Sequence, residues 1–253
     1  MNVNPSEKDR EEEQDLIIGR NAVLEAVRSG REIDTLFVAK GDRSGSIGMI
    51  IGKASENGIV VKDVDRRKLD AMCGGANHQG IAARAAAHKY ADIRDMLAAA
   101  EEKNEQPFLI ICDEIEDPHN LGAIIRSADA CGAHGVIIPK RRGVSLTYAV
   151  SKVSAGAVEY VPVARVSNLA STIDDLKKDG FWIYGADMDG TPWDKQDYSG
   201  KVALVIGSEG RGISRLVKEK CDFIVSLPMK GKINSLNASV AAGILMYEVI
   251  KHR

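Results

Sequence analysis

Short apolar runs alternate with amphipathic stretches along most of the chain, and this alternation predicts an α/β protein. The runs lie at 33–39, 59–64 and 80–87, and then at 108–112, 135–138, 160–164, 181–186, 202–206 and 223–227. Helical patterns separate them, beginning with residues 21–28. Uninterrupted apolar runs are typical of a parallel sheet that helices cover on both faces. We therefore expect a largely parallel sheet in the second half of the chain.

Polar stretches between these patterns mark the predicted boundaries. Residues 1–15 are charged and have no periodicity, so they are expected to form a disordered acidic tail. A small α/β domain is predicted at 16–90, a linker at 91–106 and a second α/β domain at 107–253. The last helical pattern, 237–251, is strongly apolar and belongs either to the core or to a dimer interface.

The composition excludes several classes of protein. Four scattered cysteines without a CxxC pair, and five histidines without ligand spacing, indicate neither a disulfide framework nor a metal site. No signal-peptide pattern and no run approaching ~18 apolar residues is present, which predicts a cytoplasmic protein that does not span a membrane. The formal net charge is −2, and residues 1–20 hold six acidic against three basic side chains, so the rest is nearly neutral. The basic clusters 66–68, 140–142 and 230/232 are either solvated surface or RNA contacts.

A glycine-rich loop at 207–214 follows one apolar run and precedes a helical stretch. Its glycines are spaced G-x-x-G-x-G, whereas a dinucleotide site has G-x-G-x-x-G, and Ile213 stands where a Walker motif has lysine. The loop therefore matches neither motif, which weakens the hypothesis that the protein is a nucleotide-dependent dehydrogenase. Glu209 would repel a pyrophosphate, so the loop suits a phosphate-free ligand such as the nucleoside part of S-adenosylmethionine, or it is only a turn.

Two further loops carry polar side chains beside predicted helices. After 108–112, Pro118 prevents an earlier helix start and Asn120 is the expected N-cap. Arg126 then lies within two turns of the helix start among apolar neighbours, which predicts a partly enclosed guanidinium that grips a phosphate or carboxylate. The alternative is a structural ion pair of Arg126 with Asp129 or Glu116. In the loop 227–239, either Ser235 or Asn237 must cap the final helix.

Taken together, these loops resemble a known family. The segments N-x-G-A-x-x-R at 120–126, I-G-S-E-G-x-G at 206–212 and L-P-M at 227–229, leading into S-L-N-x-S at 235–239, match in order and spacing the three motifs of the SpoU or TrmH branch of the SPOUT RNA ribose methyltransferases. G-R-N-x-V-x-E at 19–25 and H-Q-G at 78–80 resemble the substrate-binding domain of the 23S rRNA guanosine 2′-O-methyltransferases.

The resemblance implies a fold, a cofactor and partners. The second domain is expected to contain a deep trefoil knot and to bind S-adenosylmethionine through backbone groups near Gly207, Leu227, Met229 and Leu236. A homodimer is expected, with each site near the subunit interface. The N-terminal domain is expected to be an RNA binder of ribosomal-protein type that grips a folded 23S rRNA loop. Its expected RNA contacts are Arg20, Asn21, His78 and Gln79, joined by Arg141 from the basic cluster in the second domain.

The same resemblance assigns catalytic roles to Asn120, Arg126, Glu209, Ser235 and Asn237. A ribose 2′-hydroxyl is a weak acid, so its attack on a sulfonium methyl needs a base or stabilisation of the alkoxide. The family mechanism makes Arg126 the base, with Asn120 orienting it. Because a guanidinium is almost never deprotonated, stabilisation of the alkoxide or of a phosphate is the other role open to Arg126. Methylation of 23S rRNA guanosine is the first functional hypothesis; tRNA methylation and a non-enzymatic RNA-binding or ribosome-assembly role are the alternatives.

Overall fold

The computed structural model describes residues 16–43, 45–233 and 235–253. The expected acidic tail at 1–15 lies outside the described residues. Two compact units are present, which we describe separately. The first contains the described residues up to Lys89 together with Leu146–Tyr148, and the second contains Tyr90–Ser145 and Ala149–Arg253.

The first unit is a four-stranded mixed sheet with three helices. Its strands are β1 (Leu16–Ile18), β2 (Ile33–Ala39), β3 (Val60–Val64) and β4 (Ile81–Ala85), and its helices are α1 (Arg20–Arg28), α2 (Ser46–Glu56) and α3 (Arg66–Met72). The strand order is β1-β4-β2-β3; β2 and β3 are parallel, and β4 is antiparallel to both of its neighbours. All seven residues of β2 are buried. Its side chains alternate between faces, so Leu36 packs with α1 and α2, and Phe37 packs with α3.

The second unit contains a six-stranded sheet. Its strands are β5 (Phe108–Cys112), β6 (Gly135–Pro139), β7 (Val163–Val166), β8 (Trp182–Pro192), β9 (Val202–Ile206) and β10 (Phe223–Ser226). The helices are α4 (Ile93–Glu102), α5 (Pro118–Ala130), α6 (Tyr148–Val153), α7 (Leu169–Lys178), α8 (Arg215–Lys218) and α9 (Ala238–Ile250). The strand order is β10-β8-β9-β5-β6-β7, and every neighbouring pair is parallel. The predicted parallel α/β sheet is confirmed.

The order of the strands creates a crevice at one edge of this sheet. Strands β5 and β9 are neighbours at its centre, and all of their residues are buried. The chain leaves β5 towards β6 on one side and leaves β9 towards β10 on the other. Loops that depart in opposite directions from the carboxyl ends of adjacent strands open the crevice in which α/β proteins bind ligands.

Three elements differ from their predicted form. The strand expected at 160–164 is Val163–Val166, since Pro162 has no N–H for the ladder and Tyr160 is 80% exposed. Strand β8 continues past the apolar run to Pro192, because its far half pairs with β10 across a register shift. The linker is expected to contain a connecting helix, and α4 is that helix, but its Met96 is buried in the core of the second unit, so this segment packs as part of that unit.

The described residues contain neither a membrane-spanning helix nor a cluster of metal ligands. No helix in the described ranges is long and apolar enough to cross a membrane. In the same ranges, no three His, Cys, Asp or Glu side chains come together as metal ligands.

A buried histidine at the start of the sheet predicts a pH dependence of stability. His134 Nδ1 accepts a hydrogen bond from the Phe108 amide at 3.1 Å, and Nε2 lies 3.0 Å from Glu105. Burial lowers the pKa of His134, although the Glu105 hydrogen bond opposes that shift. The folded chain therefore takes up this proton less readily than the unfolded chain. The contribution of neutral His134 to the free energy of unfolding is complete above the free imidazole pKa of about 6.5 and is lost as the pH falls below it.

We therefore expect the melting temperature to fall between pH 7.5 and pH 5.5, and to fall less in His134→Gln. Thermal unfolding followed by circular dichroism at several pH values measures this. Equal pH dependence in both proteins would show that another group is responsible.

Candidate active site

The glycine-rich loop after β9 is a closed turn. The Ser208 amide donates to the Gly212 carbonyl at 3.0 Å, and the Gly212 amide donates to the Ser208 carbonyl at 2.9 Å. A Cβ at Gly207 would lie 2.2 Å from the Gly212 carbonyl carbon and 2.3 Å from the Ile213 nitrogen. Only glycine allows this approach between backbone segments. The turn therefore presents backbone groups at the carboxyl end of β9.

A first cavity of about 280 Å³ lies beside this turn. Its walls are the glycine-rich loop, the far half of β8, the segment after β10 and the start of α9. All four expected cofactor-binding residues line it: Gly207, Leu227, Met229 and Leu236. Two of the expected catalytic residues, Glu209 and Ser235, line it as well. The structure therefore brings together residues that are far apart along the chain.

The lining of the first cavity combines apolar side chains with the charged side chains of Asp187, Glu209 and Arg211. Val225, Leu227 and Leu245 supply apolar surface. Asp187, which the sequence motifs do not single out, lies in the continuation of β8 and binds Lys218 Nζ at 3.0 Å. Asp187 was missed because it stands beyond the apolar run that marks the strand. A phosphate-free ligand with a flat base and a cationic group suits this lining.

Three expected catalytic residues form one hydrogen-bonded cluster. Asn120 Nδ2 donates to Glu209 Oε1 at 3.0 Å, and Asn237 Nδ2 donates to Asn120 Oδ1 at 2.8 Å and also to Glu209 Oε1. The Ala238 amide donates to the same carboxylate oxygen at 3.3 Å. Glu209 therefore joins the loop after β9 to the starts of α5 and α9. We call this group the Asn–Glu–Asn cluster.

The cap of α9 is now assigned. Asn237 Oδ1 accepts from the Ser239 amide at 3.0 Å and from the Val240 amide at 3.3 Å, so Asn237 caps the helix and Ser235 does not. One side chain thus caps α9 with its oxygen and binds the cluster with its nitrogen. Ser235 remains free of this role and lines the first cavity.

A second cavity of about 290 Å³ lies on the other side of the Asn–Glu–Asn cluster, in the crevice between the loops after β5 and β9. Its lining residues are Glu114, Ile115, Glu116, Asp117, Asn120, Ser208, Glu209, Gly210 and Arg211. Ser208, Glu209, Gly210 and Arg211 line both cavities. The glycine-rich loop is therefore a shared wall, and the two cavities could hold two reactants on either side of it.

Arg126 is not where the sequence places it. Its side chain is exposed rather than partly enclosed, it lines neither cavity, and it pairs with neither Asp129 nor Glu116 in the part of the chain that the structure describes. Arg126 follows Asn120 by six residues on α5, a rotation of about 240° around the helix, so the two side chains point in different directions. Asn120 therefore does not orient Arg126 within this chain.

The start of α5 also differs from the prediction. Asp117, not Asn120, is the N-cap: its Oδ1 accepts from the His119 amide at 2.8 Å, and Pro118 is the first helical residue. Proline at this position needs no hydrogen-bond donor and has the helical φ angle. The helix therefore begins earlier than expected, and this frees the Asn120 side chain for the cluster.

Four expected RNA contacts lie together in the first unit. Arg20 Nε donates to the Gln79 carbonyl at 2.9 Å, and Gln79 is exposed with a φ of 52°. Asn21 is exposed. His78 is an exception to the expectation, because it is buried between Asp70 at 2.8 Å and the Gly80 amide at 2.9 Å. A buried imidazole offers no RNA contact; it holds the turn that presents Gln79.

Comparisons with known proteins identify the family of this chain. The sequence profile of the SpoU rRNA Methylase family matches residues 107–247, and a profile for RNA 2′-O ribose methyltransferase substrate binding matches residues 16–91. YacO of Bacillus subtilis, assigned to the TrmH family of tRNA/rRNA methyltransferases, is 53% identical over 243 residues, which covers 96% of this chain and 97% of that protein. A Staphylococcus haemolyticus protein of the same assignment is 49% identical over 94% of this chain and 96% of its own length.

Solved structures show the same fold. The SpoU methyltransferase AviRb from Streptomyces viridochromogenes, in complex with AdoMet, has a TM-score of 0.61 at 22% identity and covers 98% of this chain and 99% of its own. An AdoMet-bound rRNA methyltransferase from Sinorhizobium meliloti has a TM-score of 0.60 at 22% identity, with 100% and 97% covered. The profile match, the relatives and the shared fold lead to one conclusion: this chain belongs to the SpoU family of RNA methylases.

Proposed function

We propose that this chain transfers a methyl group from S-adenosylmethionine to the ribose 2′-hydroxyl of a guanosine in 23S rRNA. The observation that carries the proposal is the Asn–Glu–Asn cluster on a wall between two cavities. One cavity suits the methyl donor, and the other opens towards the acceptor. The first unit, which matches a 2′-O ribose substrate-binding profile, supports ribose as the acceptor.

The first cavity fits S-adenosylmethionine in shape and charge. Because Gly207 has no Cβ, the Gly212 backbone packs directly against it, and both glycines line the cavity. Leu227, Met229 and Leu236 supply apolar surface for an adenine, and Glu209 supplies negative charge beside a cationic ligand. When bound, S-adenosylmethionine supplies an electrophilic methyl on a positively charged sulfur. A trefoil knot in this region, expected from the family, remains our proposal.

The acceptor side needs a group that takes or stabilises negative charge as the 2′-hydroxyl reacts. Ser235 and the Asn–Glu–Asn cluster shape the pocket, but no guanidinium of this chain other than that of Arg211 lines the second cavity among the described residues. We therefore assign this role to Arg126 of a second copy in a homodimer. Arg126 is exposed and neighbours Ser127, which lies 3.8 Å from the position of a Cβ on Gly243 of α9.

The exposed face of α9 supports the homodimer. Val240, Ile244 and Tyr247 follow one another at helical spacing and are 50%, 37% and 54% exposed. An apolar stripe of this kind is typical of a surface that another chain covers. The apolar stripe is on α9 and Arg126 is on the neighbouring α5. A contact with a second copy would therefore cover the stripe and also place Arg126 at the site of that copy.

The substrate is tested by mapping ribose methylation across rRNA and tRNA in a strain that lacks the gene. We expect one 2′-O-methylguanosine to disappear from 23S rRNA and to return with a plasmid that carries the wild-type gene, but not with Arg126→Ala. Loss of a tRNA modification alone would favour the second candidate, tRNA, which the TrmH-type relatives also include in their names. An unchanged map in both RNAs would contradict the proposed function.

A further inference from the structure

Two arginines from different loops share one glutamate at the mouth of the second cavity. Arg142 Nη1 lies 3.4 Å from Glu114 Oε1, and Arg211 Nη1 lies 3.9 Å from Glu114 Oε2. The Glu114 side chain is 14% exposed, whereas those of Arg142 and Arg211 are 77% and 84% exposed. The Glu114 carboxylate is thus mostly buried, whereas the two guanidiniums are largely exposed to solvent.

The backbone fixes the position of Glu114. On one side of it, Asp113 binds the loop after β9: the Asp113 amide donates to the Ile206 carbonyl at 2.8 Å, and Asp113 Oδ2 accepts from the Ser214 amide at 2.7 Å. On the other side, the Ile115 carbonyl accepts from the Val144 amide at 2.8 Å, which fastens the loop after β6. Glu114 therefore lies between two anchor points, one to each of the loops that carry the arginines.

The backbone conformation at this place is unusual. Glu114 has a φ of 56° and Arg142 has a φ of 58°. Residues other than glycine rarely adopt this left-handed region, and those that do are concentrated at functional sites. Two such residues in direct contact indicate an arrangement that the surrounding hydrogen bonds hold in place.

The charges of this group do not balance internally. Two guanidiniums face one carboxylate, so the group retains one net positive charge, and each guanidinium has further N–H donors directed to solvent. Glu116 and Asp117, both exposed, line the same cavity as Arg211 and would repel an anion inside it. An anion would therefore bind at the rim, across the two guanidiniums. In a protein that binds RNA, the anion of matching geometry is a backbone phosphate.

We propose that Arg142 and Arg211 grip a backbone phosphate of the RNA next to the target nucleotide, and that Glu114 is the positioning residue that holds the two guanidiniums together. This inference rests on the proposed function for its RNA ligand. It adds contacts in the second unit that lie outside the family motifs and the first unit. Arg142 belongs to the basic cluster 140–142, from which Arg141 is the RNA contact expected on the sequence, whereas it is Arg142 that pairs with Glu114.

The test measures binding of an unmodified 23S rRNA transcript, and separately of unmodified tRNA transcripts, at several salt concentrations. In Arg142→Ala/Arg211→Ala we expect the slope of log Kobs against log salt to become shallower by about 1, because the complex then neutralises one phosphate fewer and releases fewer counterions when it forms. Arg142 lines neither cavity, so in Arg142→Ala alone the KM for RNA should rise about fivefold with kcat and cofactor affinity unchanged, because this contact positions the substrate and takes no part in the chemistry.

The control is Lys178→Ala, which removes one positive charge, as either arginine substitution does alone. Lys178 is 74% exposed, pairs with Asp175, and stands at the end of α7, near the amino edge of the sheet and opposite the site. We expect its salt slope to equal that of the wild type. An unchanged slope in the arginine double variant, or an equal change in Lys178→Ala, would overturn the proposal.

The variant Glu114→Gln distinguishes a positioning role of Glu114 from the effect of its negative charge on RNA binding. Removing a negative charge beside an RNA site would by itself tighten binding, whereas loss of the positioning carboxylate should weaken binding about threefold or more. Tighter binding in Glu114→Gln would overturn the positioning role. Failure of the wild type to methylate any of the transcripts would instead contradict the proposed function, while the salt slopes would still report on the phosphate contact.

Discussion

Replacing Arg126 with alanine is expected to lower kcat for methyl transfer by about 100- to 1,000-fold, the cost typical of removing one group that stabilises transition-state charge. Affinity for S-adenosylmethionine should remain within about twofold of the wild type, because Arg126 is exposed and does not line the first cavity. Single-turnover methylation and isothermal titration measure the two quantities. An equal loss of both would show that Arg126 is structural.

Two further variants sharpen this result. Arg126→Lys keeps the charge but loses the planar fork, so we expect it to recover only part of the activity. Arg215→Ala removes an exposed arginine of the same unit that pairs with Glu219 at 2.9 Å, and it should retain activity. If Arg215→Ala were as inactive as Arg126→Ala, loss of charge in general would explain both.

Mixing two inactive variants tests whether Arg126 acts on a second copy. In a heterodimer of Arg126→Ala and Gly207→Ala, one site combines an intact glycine-rich loop with an intact Arg126 from the other chain. Equal mixing after subunit exchange should therefore restore about a quarter of the wild-type activity, since half of the dimers would carry one complete site. No recovery from a mixture that gel filtration shows to be dimeric would contradict a shared site.

Replacing Gly207 with alanine is expected to weaken S-adenosylmethionine binding by at least about 100-fold, which corresponds to about 2.7 kcal/mol. The new Cβ would lie 2.2 Å from the Gly212 carbonyl carbon and 2.3 Å from the carbonyl oxygen. These are backbone atoms, so the turn must open, and the paired hydrogen bonds between Ser208 and Gly212 would break. The free energy of unfolding should also fall, by about 1–3 kcal/mol.

The matched control for this variant is Gly210→Ala in the same turn. A Cβ at Gly210 would meet no atom within 4 Å, and this glycine is not among those with positive φ. We expect it to lose less than about threefold in affinity. Isothermal titration and thermal unfolding of both variants measure the difference, and equal behaviour of the two would contradict the steric explanation.

Parts of the fold could be predicted because burial leaves a direct pattern in the sequence. Strands β5 and β9 are uninterrupted apolar runs because helices cover both faces of a parallel sheet, and their predicted bounds agree with the structure. The far half of β8 could not be recognised, because Asp187 and Asp189 interrupt its pattern and pairing with β10 supplies its order.

Asn120, Glu209 and Asn237 lie in one cluster and Ser235 lines the first cavity, but Arg126 lies apart from them. The arrangement of the individual residues therefore needed the structure. Gly122 belongs to the first motif, but packing explains why a glycine is needed there, since a Cβ would lie 2.7 Å from Val153 Cβ. Spacing along the chain did not show that Asn120 faces Glu209 while Arg126 faces away. The pairing of Glu114 with Arg142 and Arg211 was also invisible in the sequence, because three separate loops supply those side chains.

Methyl transfer to the ribose is tested most directly by a reaction with the purified chain, isotope-labelled S-adenosylmethionine and an unmodified 23S rRNA transcript, followed by digestion to nucleosides and mass spectrometry. We expect the label to appear in 2′-O-methylguanosine, and Arg126→Ala and Gly207→Ala to yield almost none. Label on a base instead of the ribose, or no label in any nucleoside although the wild-type chain binds both the cofactor and the RNA, would contradict the proposed function.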